Sequence, residues 1–268
     1  MSRFKIFLEY EGTRYSGWQV QTGQAGTRTV QGEIMNVVRK TFKTETFEFY
    51  GAGRTDSGVH ALLQVAHLDV KTMLAPEIIR MRINDELPAD INIIEVEKAP
   101  AKFNARHDAL ARSYLYQISR RRTALGKRFV WWIKDRLDYE KMERSSRLFI
   151  GMKNLQSFTA DDPEEKSTKV LIESIEIKET GDLILIRILG SHFLWKLIRR
   201  IVGVLVEVGR GDLPLEKVEG YVRTFSGEPS RLTAPPSGLF LERVYYKGDR
   251  RIETLGPVMN LGSTFQTK

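Results

Sequence analysis

Residues 45–70 read ETFEFYGAGRTDSGVHALLQVAHLDV. At the two ends, ETFEFYG (45–51) and QVAHLDV (64–70), apolar and polar residues alternate, and a period of two predicts a pair of strands. Between them Gly51, Gly53 and Gly58 frame Arg54, Thr55 and Asp56. So many glycines break both helix and plain strand and leave a shaped loop. A strand, a loop with a carboxylate two residues from a guanidinium, and a second strand are therefore the starting point.

Upstream, FKIFLEY (4–10) alternates in the same way. TVQGEIMNVVRKTFK (29–43) puts Val30, Ile34, Val37, Val38 and Phe42 on one helical face. Downstream, PEIIRMRINDEL (76–87) predicts a short helix with proline in its first turn, and INIIEVEK (91–98) a strand. The order is β-α-β-β-α-β. It returns without repetition of sequence: SYLYQISR (113–120) as strand, DYEKMERSSRLFIG (138–151) as helix, then VLIESIEIKE (170–179) and DLILIRIL (182–189) as a hairpin turning at Thr180-Gly181. SHFLWKLIRRIVGVLVEVG (191–209) predicts a long, largely buried helix, LPLEKVEGYVRTF (213–225) a second helix, and SGLFLERVYY (237–246) a closing strand. These patterns predict an α+β protein of two ferredoxin-like halves, 1–108 and 109–246. The expected arrangement is one mixed, mainly antiparallel sheet with helices on one face. The tail, 247–268, lacks periodicity and reads as a loose extension.

Bulk composition narrows the function. With 268 residues, 41% of them hydrophobic, the chain can bury a substantial core. A net charge of +8 favours a polyanionic partner such as nucleic acid. There is no cysteine, which excludes thiolate chemistry and cysteine-bound zinc. His60, His67, His107 and His192 show no metal-ligand spacing, so no metal is expected. The N-terminus runs straight into a strand pattern, leaving no room for a signal peptide, and no apolar run approaches membrane-spanning length. A cytoplasmic protein is the expectation.

Taken alone, the glycine loop admits two readings. It is not a phosphate cradle, because Gly51, Gly53 and Gly58 do not make G-x-G-x-x-G and no G-K-[ST] follows. Asp56 can close an Asx-turn with Gly58 at positive φ. Equally, a carboxylate held beside a cation stays ionised and can act as nucleophile or base.

GAGRTDSGVHA (51–61) resembles the signature of the tRNA pseudouridine synthase A family. So do LEYEGTRYSGWQVQ (8–21), TVQGEI (29–34), LPADI (87–91), FNARHDALARSYLYQI (103–118), GMKNLQSFTA (151–160), FLWKLIRRIVGVLVEVG (193–209) and APPSGLFLERVYY (234–246), in order along residues 4–246. The resemblance implies an enzyme that isomerises uridine to pseudouridine in tRNA, in the anticodon arm at about nucleotides 38–40, without a cofactor and usually as a homodimer. It implies Asp56 as the catalytic aspartate, and Arg199 as its cationic partner. Tyr114 is implied as the ring that stacks on the target uracil, and its hydroxyl as a group that helps remove the C5 proton. Arg54 is implied as an RNA contact that helps hold the extruded nucleotide, and Leu239 as an apolar packing residue against the base. Tyr114 and Tyr116 share a strand face, and periodicity does not separate them; Tyr114 rests on the motif.

Lys196, Arg199 and Arg200 share a helical side by spacing, which makes Lys196 and Arg200 candidates for phosphate. A solvated face is the competing reading for those two. The densest basic stretch, Arg120, Arg121, Arg122, Lys127 and Arg128, precedes Trp131 and Trp132. Cations interleaved with aromatics suit an RNA strand, and ordinary loop charges with core tryptophans suit the same pattern.

Overall fold

The computed structural model describes residues 1–259 apart from 22, 24, 25, 163 and 166. Two compact units result: Met1–Leu110 with Phe240–Arg250, and Ala111–Leu239 with the tail from Arg251.

The first unit follows the β-α-β-β-α-β order: β1 (Ser2–Tyr10), α1 (Val30–Phe42), β2 (Phe47–Gly51), β3 (His60–Val70), α2 (Pro76–Asn84) and β4 (Ile91–Lys98). Strand β1 lies between β3 and β4, antiparallel to both, and β2 runs antiparallel to the far half of β3. Along β1, Phe4, Ile6 and Leu8 are buried while the alternate residues are part-exposed, as the period of two requires. Helix α1 buries Val30, Ile34, Val37 and Val38. The Thr29 hydroxyl caps it by accepting from the Gly32 N–H at 3.2 Å, a contact of about 1 kcal/mol. Helix α2 buries Ile79 and Ile83.

The second unit holds β5 (Ala111–Ser119), β6 (Trp131–Trp132), α3 (Tyr139–Ser146), β7 (Gly151–Asn154), β8 (Lys169–Thr180), β9 (Leu183–Gly190), α4 (Leu197–Arg210) and α5 (Leu215–Arg223). Antiparallel pairing gives the order β5-β9-β8-β7, and β6 is a short parallel strand on β5. Every residue of β5 is buried. The hairpin turns as expected, with Thr180 opposite Leu183 and Gly181 at φ +55°. Both units are thus α+β, with mostly antiparallel pairing.

Several features differ from the sequence reading, among them the short strands β6 and β7, which it does not contain, and the helix expected over 138–151, which ends at Ser146. The helix expected from 191 begins only at Leu197, because Lys196 adopts φ +64°. The Asp161 carboxylate accepts from the Trp195 N–H at 2.8 Å and the Trp195 carbonyl accepts from the Ala160 N–H at 3.0 Å. Tertiary bonds thus hold backbone groups of Trp195 that helix would otherwise use.

The closing strand, β10 (Leu239–Tyr245), groups from Phe240 with the first unit and runs parallel to β3, with Phe240 opposite His60 and Leu241 opposite Ala61. Long β3 therefore changes partner along one edge, from β2 to β10, and the loop 52–59 leaves at that change.

The tail is not loose as far as it is described. Buried Arg187 donates to the Thr254 carbonyl at 2.7 Å, the Val258 N–H donates to Gln117 Oε1 at 2.8 Å, and Leu255 is buried. Residues 260–268 of that extension lie outside the described residues.

Candidate active site

Backbone and buried side chains clamp the loop that carries Arg54 and Asp56. Trp18, fully buried between Tyr10 and Phe49 with ring centroids 5.9 and 6.0 Å away, donates its backbone N–H to the Thr55 carbonyl at 3.1 Å. The Tyr10 and Thr55 hydroxyls are 2.8 Å apart. The Ser57 hydroxyl donates to the Tyr15 carbonyl at 3.1 Å. The Val59 N–H donates to the Asp56 carbonyl at 3.1 Å and closes a turn in which Gly58 has φ +78°. Positive φ at that position is the reason for a glycine there.

The turn at 15–19 and the aspartate loop require each other. A Cβ on Gly12 would lie 1.9 Å from the Val59 carbonyl oxygen, and one on Gly17 would lie 2.6 Å from that of Thr55. Gln31, in the first turn of α1, donates to the Phe49 carbonyl at 2.9 Å and accepts from Val20 N–H and Gln19 Nε2. The two glycine motifs and TVQGEI are thus one interlocked assembly. Asp56 emerges from it half-buried, and Arg54 fully exposed.

Three buried polar residues complete this assembly, and the sequence reading did not find them. Gln64 brackets Gly53, and His60 Nδ1 accepts from the Gly12 N–H at 3.0 Å. The His60 ring stacks on Phe240 at 4.8 Å. Thr55 is the third. No period marks such residues; a buried amide in the QVAHLDV strand was the only available sign.

In the second unit the two tyrosines of β5 separate. Tyr116 is wholly buried and its hydroxyl donates to the Pro235 carbonyl at 2.7 Å, with the Trp131 ring edge-on at 6.3 Å. Burial drives its hydroxyl well above the usual tyrosine range, and the Arg199 charge works against that rise. Tyr114 keeps 8% of its surface and meets Phe193 edge-on at 5.1 Å. Leu239 begins β10 and is buried. Just before it, a Cβ on Gly238 would lie 2.7 Å from the Tyr116 ring.

Arg199 and Arg200 have different surroundings. The Arg199 Nε donates to the Ala234 carbonyl at 2.7 Å while the Ala234 N–H donates to the Arg199 carbonyl at 3.0 Å. The APPSGL segment is thereby tied to α4. Arg200 is buried, donates to the Thr159 carbonyl, and has a buried Nε without a hydrogen-bond partner. Burial lowers its pKa. It is an internal strut, not a cation offered to solvent. Lys196 is part-exposed, its ammonium 4.8 Å from the centre of the exposed Trp195 ring.

The basic stretch divides as well. Arg120 pairs with Glu179 and Arg121 with Asp182, both at 2.9 Å and exposed, contributions of about 0–1 kcal/mol. Arg122 lies over the exposed Trp132 ring at 5.8 Å, while Trp131 packs on Tyr116. Among the described residues no helix is long and apolar enough to cross a membrane, and no group of three or more His, Asp or Glu is placed to hold a metal ion.

Comparison with known proteins bears on the same residues. The tRNA pseudouridine synthase family profile matches 6–108 and 146–247. A tRNA pseudouridine synthase A of Brachyspira hyodysenteriae is 36% identical over 253 residues, covering 93% of this chain and all of that protein. Others are those of Bartonella tribocorum, 36% identical over 92% of this chain and all of the relative, and of a Geobacillus species, 34% identical over 91% and 98%.

Proposed function

The chain belongs to the tRNA pseudouridine synthase A family, and from that premise we propose that it isomerises uridines of the tRNA anticodon stem-loop, at about nucleotides 38–40, with Asp56 as its catalytic carboxylate. As a pseudouridine synthase it breaks the C1′–N1 bond, turns the uracil and joins C5 to C1′. The proton that leaves C5 is matched by one gained at N1, so no oxidant or group donor enters.

A uridine stacked in RNA must leave the stack before its sugar can be reached. Asp56 attacks C1′ or assists departure of the base. Tyr114 stacks on the uracil and its hydroxyl helps remove the C5 proton. Arg199 is the cation of the reaction centre, and Leu239 packs against the base. Arg54 holds the extruded strand. Lys196 contacts backbone phosphate; buried Arg200 positions Thr159 instead. The enzyme acts in the cytoplasm as a homodimer.

One observation carries this reading. The 52–59 loop that carries Asp56 is pinned along its length by Trp18, Tyr10, Tyr15 and Gln64. Such rigidity is what positioning for attack requires. The test replaces Asp56 by Ala and maps pseudouridine in tRNA. Loss of the modification at 38–40 with tRNA affinity kept is expected. Normal turnover by the variant would refute the assignment.

A further inference from the structure

In the second unit the Trp195 backbone is held from both sides while its ring stays open. Its N–H donates to Asp161 Oδ2 at 2.8 Å, its carbonyl accepts from the Ala160 N–H at 3.0 Å, and the Thr159 hydroxyl lies 3.2 Å from the same carbonyl. The 159–161 segment is fixed in turn. The Asp161 N–H donates to the Thr159 hydroxyl at 2.9 Å, and buried Arg200 donates to the Thr159 carbonyl. An internal arginine thus braces a surface tryptophan that is 53% exposed. An indole left to solvent forgoes the burial that its large apolar area would otherwise gain.

The next residue adds strain. Among the described residues only Lys43 and Lys196 are non-glycine at positive φ. Lys43 ends α1, where a left-handed cap is usual. Lys196 stands before α4 at φ +64°, where that backbone is unfavourable for a residue with a Cβ and caps no helix carbonyl. Its ammonium lies 4.8 Å from the centre of the Trp195 ring and forms no ion pair among the described residues. The first turn of α4 holds no acidic residue to oppose an anion, and the Asp161 carboxylate is taken up by the Trp195 N–H. Phe193, two residues before Trp195, meets the Tyr114 ring edge-on at 5.1 Å. Successive Cα atoms stand about 3.8 Å apart, so Trp195 lies within about 8 Å of that contact residue along the chain.

We propose that Trp195 is a stacking platform for an unpaired base flanking the target uridine, with Lys196 on the phosphate of that nucleotide. An aromatic face accepts any base, and an ammonium beside it supplies the charge a phosphodiester needs. A platform must not swing, which gives the three hydrogen bonds on the Trp195 backbone a purpose. The platform rests on tRNA being the substrate and on Tyr114 meeting the target base. It adds Trp195 to the residues that hold the RNA, and makes Thr159 and Arg200 its positioning residues.

The test measures binding of an unmodified tRNA transcript to the full chain over a salt series, with tryptophan fluorescence followed in the same titrations. Trp195→Leu, which keeps apolar bulk without a π-face, should weaken binding about tenfold or more. Trp195→Phe should keep most of the affinity, and should lack the part of the parent's fluorescence that tRNA quenches. Lys196→Gly suits the positive φ, so its thermal midpoint should not fall, while its salt slope should drop by about 1. Parent affinity in Trp195→Leu would overturn the proposal. So would equal losses in Trp195→Leu and Trp195→Phe, which mark a packing role. A changed sedimentation coefficient of Trp195→Leu without RNA would also overturn it, by showing that a second copy of the chain covers the ring. Binding needs no turnover, so failure of the Asp56 assignment would appear separately, as activity retained by Asp56→Ala.

Discussion

Gln64 and Gly53 hold each other in both directions: the Gln64 amide donates to the Gly53 carbonyl at 2.8 Å and accepts from the Gly53 N–H at 3.3 Å. Gln64 is completely buried, so this contact fixes where the loop leaves the sheet, three residues before Asp56. Gln64→Leu keeps the volume and leaves both backbone groups of Gly53 without that partner. Stability should fall by about 1–3 kcal/mol. Turnover should fall at least tenfold with KM little changed, since the binding cations are untouched. Urea unfolding and steady-state kinetics on one preparation check both.

Two glycines with the same backbone angle make a controlled pair. Gly17 and Gly23 both have φ +88°, but only at Gly17 would a Cβ collide, 2.6 Å from the Thr55 carbonyl oxygen. Gly23→Ala should lose about 1–2 kcal/mol, the cost of the left-handed backbone. Gly17→Ala should lose more and also depress kcat, because Thr55 adjoins Asp56. Equal stability and activity in the two variants would show that the close approach is unimportant.

The two tyrosines of β5 should respond oppositely to loss of their hydroxyls. Tyr116→Phe leaves the Pro235 carbonyl without its donor, and a cost of about 1–3 kcal/mol with kcat maintained is expected. Tyr114→Phe should lower kcat about a hundredfold or more. A reversed pattern would move the base-contacting role to Tyr116.

Acid should weaken the fold in two separate steps. Burial, aided by the Arg3 charge, holds the His67 imidazole below its ordinary pKa. The unfolded chain then takes up the proton first, so stability falls as pH drops below about 6.5 and levels off below the folded-state pKa. The Arg3 hydrogen bond holds Asp69 below the ordinary carboxylate range. Its contribution is complete above about pH 3.9 and disappears as pH falls through the lower folded value. Thermal midpoints of His67→Gln between pH 7 and 5 should be flatter than those of the parent.

Periodicity alone determined most of the elements, because alternation and a 3.6-residue repeat are written locally. Val30, Ile34, Val37 and Val38 are buried on α1 as their spacing required. The aspartate loop was legible for a different reason: glycines at 51, 53 and 58 mark a backbone that other residues do not easily follow. Tertiary structure decided what depends on distant partners. Arg200 has the spacing of a surface cation, yet the fold buries it against Thr159. Six residues of apparent helix before Leu197 are non-helical because Asp161 and Ala160 bond to the Trp195 backbone first. The tail beyond Arg251 has no period and is still held, since buried Arg187 and Gln117 bond its backbone groups. Hydrogen bonds made across long sequence separations leave no repeat in the chain, so these placements exist only in three dimensions.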